Sequence, residues 1–236
     1  MVLPVECPGC GALDVPLCGA CGALLGRPRR CEDGAPRLDR LDGRPPLPVW
    51  ALAPYAGPVR GLVVAWKDRG RADLARPLGD AVERAASELA RPLGMVLGGA
   101  ARRGGEGPPG LVVVPAPSTW AARLERGRVP VRELAVRVAA ALRSSGTGLG
   151  AVEVVDALGE RRGRDQVGLG ARARAANVRD RLRPRRAAGR CRGRPVLLVD
   201  DVLTTGATLA TCELVLARCG AVVVGALVLA ATPRPG

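Results

Sequence analysis

The 236-residue sequence predicts an α/β protein with a mostly parallel central sheet flanked by helices, preceded by a small cysteine-rich module. Three observations carry this. Short all-aliphatic runs, Leu111 to Val114 and Val196 to Val199, read as strands covered on both faces. Stretches with apolar residues at helical spacing lie between the strands, and that alternation gives a parallel sheet with right-handed crossovers. At the amino end stand two Cys-x-x-Cys pairs, Cys7 with Cys10 and Cys18 with Cys21.

Four thiolates in tetrahedral array suit zinc, and the neighbouring glycines let backbone amides turn toward sulfur. The rival reading is a pair of redox dithiols or structural disulfides, but a single redox motif would not need a matching second one, and a cytosolic chain disfavours disulfides. Cys31 has no nearby mate and stays outside the ligand set. Residues 26 to 49 carry Arg, Pro, Asp and Gly with little apolar periodicity and read as a linker. The expected division is 1–48 for the zinc module with its linker and 49–236 for the α/β domain.

Trp50 to Tyr55 reads as a strand. Val59, Leu62, Val63 and Trp66 then repeat at helical spacing and put Lys67 in the last turn of that helix. Leu74, Leu78, Val82, Ala85 and Leu89 mark a second helix, closed by a loop from about Gly94 to Gly110. The strand at Leu111 runs into Pro115, Ala116, Pro117, Ser118 and Thr119, a loop that brings polar side chains to a strand's carboxyl end. A helix from Val131 to Leu142 and a strand from Val152 to Val155 follow. From Glu160 to Arg194 thirteen arginines stand against three acids, so this segment reads as a basic arm, helical around Ala171 to Ala176. A helix reaching Arg218 and a strand near Val222 to Leu229 complete the chain.

Residues 196 to 208, VLLVDDVLTTGAT, hold the densest chemistry. Asp200 and Asp201 fall at the carboxyl end of the strand, the edge at which open α/β sheets bind ligands, and suit sugar hydroxyls or a metal. Thr204, Thr205, Gly206, Ala207 and Thr208 follow, and a helix starting there presents unpartnered amides rimmed by hydroxyls, an anion site. The run is not a Walker P-loop, because the second glycine and the lysine are missing.

Composition sharpens this. The net charge of +14 invites nucleic acid, but richness in Ala, Gly, Arg and Pro indicates a codon-level bias behind part of it. Against that bias the single Lys67, Tyr55, Gln166 and Asn177, and four of seven threonines between 204 and 211, mark positions that resist replacement. With no histidine, His-based triads, His–metal sites and His general bases are excluded. No secretory signal is visible and the longest apolar run, Ala221 to Ala231, is too short for a bilayer, so a cytoplasmic protein without membrane insertion is expected.

The chain resembles the ComF family of competence proteins, within the type I phosphoribosyltransferases. The residues carrying the likeness are the paired cysteine knuckles; Tyr55-Ala56-Gly57 with Lys67 and Gly70; VVVPAPS at 112 to 118; Arg126-Gly127; Arg164-Asp165-Gln166, Leu169, Arg174 and Asn177; and VLLVDDVLTTGAT. The resemblance implies a type I phosphoribosyltransferase-like fold with a flexible hood. It implies that Thr204 to Thr208 wrap the 5'-phosphate of phosphoribosyl pyrophosphate (PRPP) and that Asp200 and Asp201 hold the ribose hydroxyls beside Mg2+. Pro115 to Ser118 and Arg126 would meet the pyrophosphate side. Arg164, Gln166, Arg174 and Asn177 would belong to the hood, with Lys67 and Gln166 joining the two acids as catalytic candidates. Two functions follow: phosphoribosyl transfer to an unidentified acceptor, or a non-catalytic accessory factor that binds PRPP or a nucleotide together with single-stranded DNA. Association with DNA uptake and a competence helicase partner is implied for either.

Overall fold

The computed structural model describes residues 5–39, 43–104, 110–117, 129–160 and 182–233. Its frame is a six-stranded sheet built from β1 (Arg29–Arg30), β2 (Val49–Pro54), β3 (Leu111–Pro115), β4 (Val152–Val154), β7 (Pro195–Leu203) and β8 (Val222–Ala231). Their order across the sheet is β1-β2-β8-β7-β3-β4. The β1 pairing is antiparallel and every other pairing is parallel, as the sequence predicts. A separate ribbon pairs β5 (Leu158–Glu160) with β6 (Leu182–Pro184).

Alternation explains the uninterrupted aliphatic runs. Leu111, Val113, Leu197 and Val199 pack with α2 (Gly57–Asp68), α3 (Ala75–Gly104) and α4 (Pro130–Ser144) on one face. Val112, Val114, Val196 and Leu198 face the other way, against α5 (Ala207–Arg218) and the segment around Ala35 and Leu38. Each strand is therefore apolar on both sides because each side has its own core. A short helix, α1 (Gly19–Ala23), belongs to the cysteine module, whose Cys7, Cys21 and Leu25 join the first core beside Val59 and Leu62.

Several expectations are corrected. The central strand does not stop at Val199: β8 pairs with β7 as far as Leu203 with Ala231, so the two acids lie within the strand. On the other side β3 ends at Pro115 opposite Val199, which leaves the acids unflanked there. The loop expected from Gly94 is helix through Gly104, because Leu93 and Leu97 continue the buried stripe of Leu89. Gly94 serves packing instead, since a Cβ there would lie 2.5 Å from the Thr147 carbonyl oxygen. Residues 26–39, expected as linker, are folded onto the sheet through β1 and two 3-10 turns. The arm expected to end at Arg194 has its second part folded too, with Leu182, Ala188 and Cys191 buried. Its first part, including the helix expected around Ala171 to Ala176, lies outside the described residues. Among the described residues no helix is long and apolar enough to cross a membrane.

Candidate functional site

Strand alternation sends the two acids of β7 to opposite faces. Asp201 shares the α2 face with Leu197 and Val199, is 3% exposed, and meets Lys67 with Nζ 2.5 Å from Oδ2. The helix α2 begins where β2 ends, and its last turn delivers Lys67 to β7, so one buried ion pair ties two elements distant in sequence. Burial works against the Lys67 charge, but Asp201, followed by Asp200, holds its pKa above the ordinary lysine range. Apart from Lys67, Oδ2 of Asp201 has no partner among the described residues.

Asp200 takes the α5 face and is half-buried. Loss of water and then the neighbouring Asp201 charge push its carboxyl up to about 8, against the pull of Lys67. Its Oδ1 accepts the Asp201 N–H at 2.8 Å, and Oδ1 of Asp201 accepts the Val202 N–H at 2.8 Å. These local bonds hold both carboxylates close to the backbone at the sheet edge.

The hydroxyl-rich turn follows directly. Thr204 and Thr205 are exposed, and Gly206 caps α5 at φ +81° with no side chain capping the helix. The first amides of α5 are thus left facing outward apart from a long 3.4 Å contact between Ala207 N–H and Thr205 Oγ1. Thr208 is half-buried on the first turn. Pro115 ends the adjacent strand, Ala116 follows with its N–H donating to the Val199 carbonyl at 2.8 Å, and Pro117 comes next. The structure therefore brings Lys67, Asp200, Asp201, Thr204 to Thr208 and Pro115 to Pro117 to one sheet edge. Ser118, Arg126, Arg164, Gln166, Arg174 and Asn177 lie outside the described residues.

One part of this site was not read from the sequence. The Arg37 N–H donates to the Thr205 carbonyl at 3.0 Å, and a Cβ on Gly206 would come within 2.7 Å of Leu38 Cγ. The segment whose composition reads as a linker is the back wall of the turn. Its apolar residues, Ala35 and Leu38, are too few to give a periodic signal.

The second cluster is the cysteine tetrad. The sulfurs of Cys7, Cys10, Cys18 and Cys21 all lie within 4.8 Å of one another. A tetrahedral zinc at about 2.3 Å from each sulfur needs edges of about 3.8 Å, so the four can hold zinc. Burial would raise the Cys7 thiol, but N–H groups of Cys18, Gly9 and Cys10 bring it down to about 6, which favours the thiolate a metal requires. Burial raises Cys21. Cys31 stays apart: its Sγ donates to the Val49 carbonyl at 3.4 Å and burial pushes it up to about 12. The module rests on the first turns of α2, where a Cβ on Gly61 would sit 2.2 Å from the Pro8 carbonyl oxygen.

Residues 124–235 match the family model of the phosphoribosyl transferase domain, just under half of the chain. That stretch carries β4 to β8, the two acids and the hydroxyl-rich turn, and together with the parallel sheet it defines the fold class as phosphoribosyltransferase-type. No curated protein matches the chain.

Proposed function

We propose that the protein binds PRPP with Mg2+ at the edge formed by Asp200, Asp201 and Thr204 to Thr208, and transfers the phosphoribosyl group to an acceptor. The carrying observation is the Lys67–Asp201 pair set beside an uncapped helix start. The amides and hydroxyls of 204–208 suit a phosphate, and the acids suit ribose hydroxyls. Two carboxylates are a hard-oxygen donor set of the kind Mg2+ takes, and the ion would supply charge neutralisation at the pyrophosphate. Pro115 to Ser118 and Arg126 are assigned to the pyrophosphate side, and Arg164, Gln166, Arg174 and Asn177 to a hood that excludes water. In transfer the bond from ribose C1 to pyrophosphate breaks, its electron pair leaves with pyrophosphate, and the acceptor forms the new bond and releases a proton.

Calorimetry with Mg2+ and PRPP tests the site. Asp200→Asn with Asp201→Asn abolishes binding if the assignment holds, and unchanged affinity refutes it. Pyrophosphate release on addition of bases, amines or single-stranded DNA tests turnover.

The net charge of +14 and the cysteine tetrad favour a second reading, a ComF-like accessory factor that binds single-stranded DNA beside a helicase during DNA uptake. Binding of PRPP without pyrophosphate release, together with a salt-sensitive DNA mobility shift, separates it from the enzyme.

A further inference from the structure

The 3-10 turn Pro36–Leu38 carries a charged residue to the hydroxyl-rich turn. Ala35 and Leu38 stand one such turn apart and share a side, and both are buried. Both face Gly206, where a Cβ would lie 3.2 Å from Ala35 Cβ and 2.7 Å from Leu38 Cγ. The Leu38 N–H closes the turn on the Ala35 carbonyl at 2.9 Å. Arg37, between these two anchors, is exposed. Its backbone is nevertheless pinned to the site, because its N–H donates to the Thr205 carbonyl at 3.0 Å.

Positive charge is what the hydroxyl-rich turn itself lacks. From Leu203 to Cys212 the chain carries no basic side chain, so the amides and hydroxyls assigned to a phosphate are neutral donors. Lys67 is held by Asp201. Arg37 makes no ion pair with any described residue, its neighbour Asp39 included. A guanidinium without a carboxylate partner, on a backbone bonded to Thr205, is suited to a phosphate, which it grips bidentately.

We propose that Arg37 is a further ligand-binding residue of this edge, its guanidinium taking the phosphate that Thr204 to Thr208 cradle. The inference rests on the PRPP reading of the edge, and adds to it a residue from outside the 49–236 domain that the sequence leads one to expect. The segment after the cysteine module then does more than wall the turn: it supplies the cation that neutral donors leave out.

Calorimetry on the full chain with three probes tests this: Mg2+-PRPP, ribose 5-phosphate and magnesium pyrophosphate. Arg37→Gln is expected to weaken PRPP and ribose 5-phosphate about tenfold each and to leave pyrophosphate within about twofold. Arg37→Lys keeps the charge without the fork and is expected to recover part of the loss. Both variants melt as wild type does, because the side chain is exposed and the backbone bond to Thr205 is kept. Wild-type affinity for PRPP and ribose 5-phosphate in Arg37→Gln overturns this inference alone. A loss shared equally by pyrophosphate marks a long-range charge effect and also overturns it. A wild-type chain that binds neither PRPP nor ribose 5-phosphate refutes the PRPP reading and this inference with it.

Discussion

Lys67 and Asp201 form a buried ion pair with Nζ 2.5 Å from Oδ2, the carboxylate side chain 4% exposed and the lysine 35% exposed. In a chain that uses arginine everywhere else, the one lysine occupies this position. A compact ammonium engages one carboxylate oxygen, whereas a planar guanidinium grips both and would take Asp201 out of service.

Lys67→Met leaves Asp201 buried without its cation. Breaking such pairs costs about 3–5 kcal/mol when fully buried; with a third of the lysine in water, about 1–3 kcal/mol is expected in urea unfolding. Lys67→Arg retains most of the stability yet weakens PRPP binding, which calorimetry on the same two variants separates. Equal stability of wild type and Lys67→Met would show the pair to be ornamental.

Gly206→Ala is expected to lose stability for two separable reasons. The backbone sits at φ +81°, and the new Cβ would lie 2.7 Å from Leu38 Cγ. A left-handed non-glycine residue costs about 1–3 kcal/mol, with the clash in addition. Adding Leu38→Ala opens a cavity of its own but lowers the cost of the alanine, so the two changes are less than additive in a double-mutant cycle.

The parts legible in the sequence are those with a local signature. The strand alternation, the Lys67 helix turn, the acids with their hydroxyl-rich turn and the spacing of the cysteine pairs are each set by neighbours within a dozen residues. What escaped is tertiary. Residues 29–38 carry little apolar periodicity, yet pair with β2 and wall the Gly206 turn, because a few buried side chains suffice on a surface that other elements have already built. Gly94 reads as the start of a loop, but packing against the core outweighs its propensity cost and that of Pro92 inside the helix, and the Gly94 contact with Thr147 has no trace in sequence. The sequence puts the acids at the carboxyl end of the strand because the aliphatic run stops at Val199, whereas strand length is set by the ten-residue partner β8, which carries β7 on to Leu203.

Asp200 gives the protein a pH signature. Its carboxyl is raised from 3.8 to about 8 in the folded state, so the folded form holds a proton that the unfolded form releases. The associated stability is complete below about 4 and fades as pH rises through 8. Asp200→Asn flattens this slope and raises stability at pH 8 by about 0.5–2 kcal/mol, as denaturant unfolding at pH 5 and pH 8 measures. Mg2+-PRPP needs the charged diacid, so its affinity is expected to climb over the interval in which stability falls. Affinity that is flat between pH 6 and pH 9 would count against the assignment of Asp200.

The cysteine tetrad and the Lys67–Asp201 pair are linked by a single helix. Cys7 and Cys21 are buried in one core with Val59 and Leu62 on α2, and Pro8 rests on Gly61, while Lys67 stands at the far end of the same helix. From Gly61 to Lys67 the rise is about 9 Å along the axis, short enough for a shift at one end to displace the other. Cys10→Ser isolates the metal, because Cys10 is exposed and contributes no packing. It is expected to lower the zinc content of the purified chain, lower the melting temperature, and weaken Mg2+-PRPP binding although no residue assigned to PRPP is touched. Gly61→Val attacks the same joint from the helix side: the Cβ would lie 2.2 Å from the Pro8 carbonyl oxygen, so the module must move while its four sulfurs stay intact. This variant keeps its zinc and loses PRPP affinity with Cys10→Ser. If both variants bind PRPP as wild type does, the module and the sheet edge act independently and α2 transmits nothing.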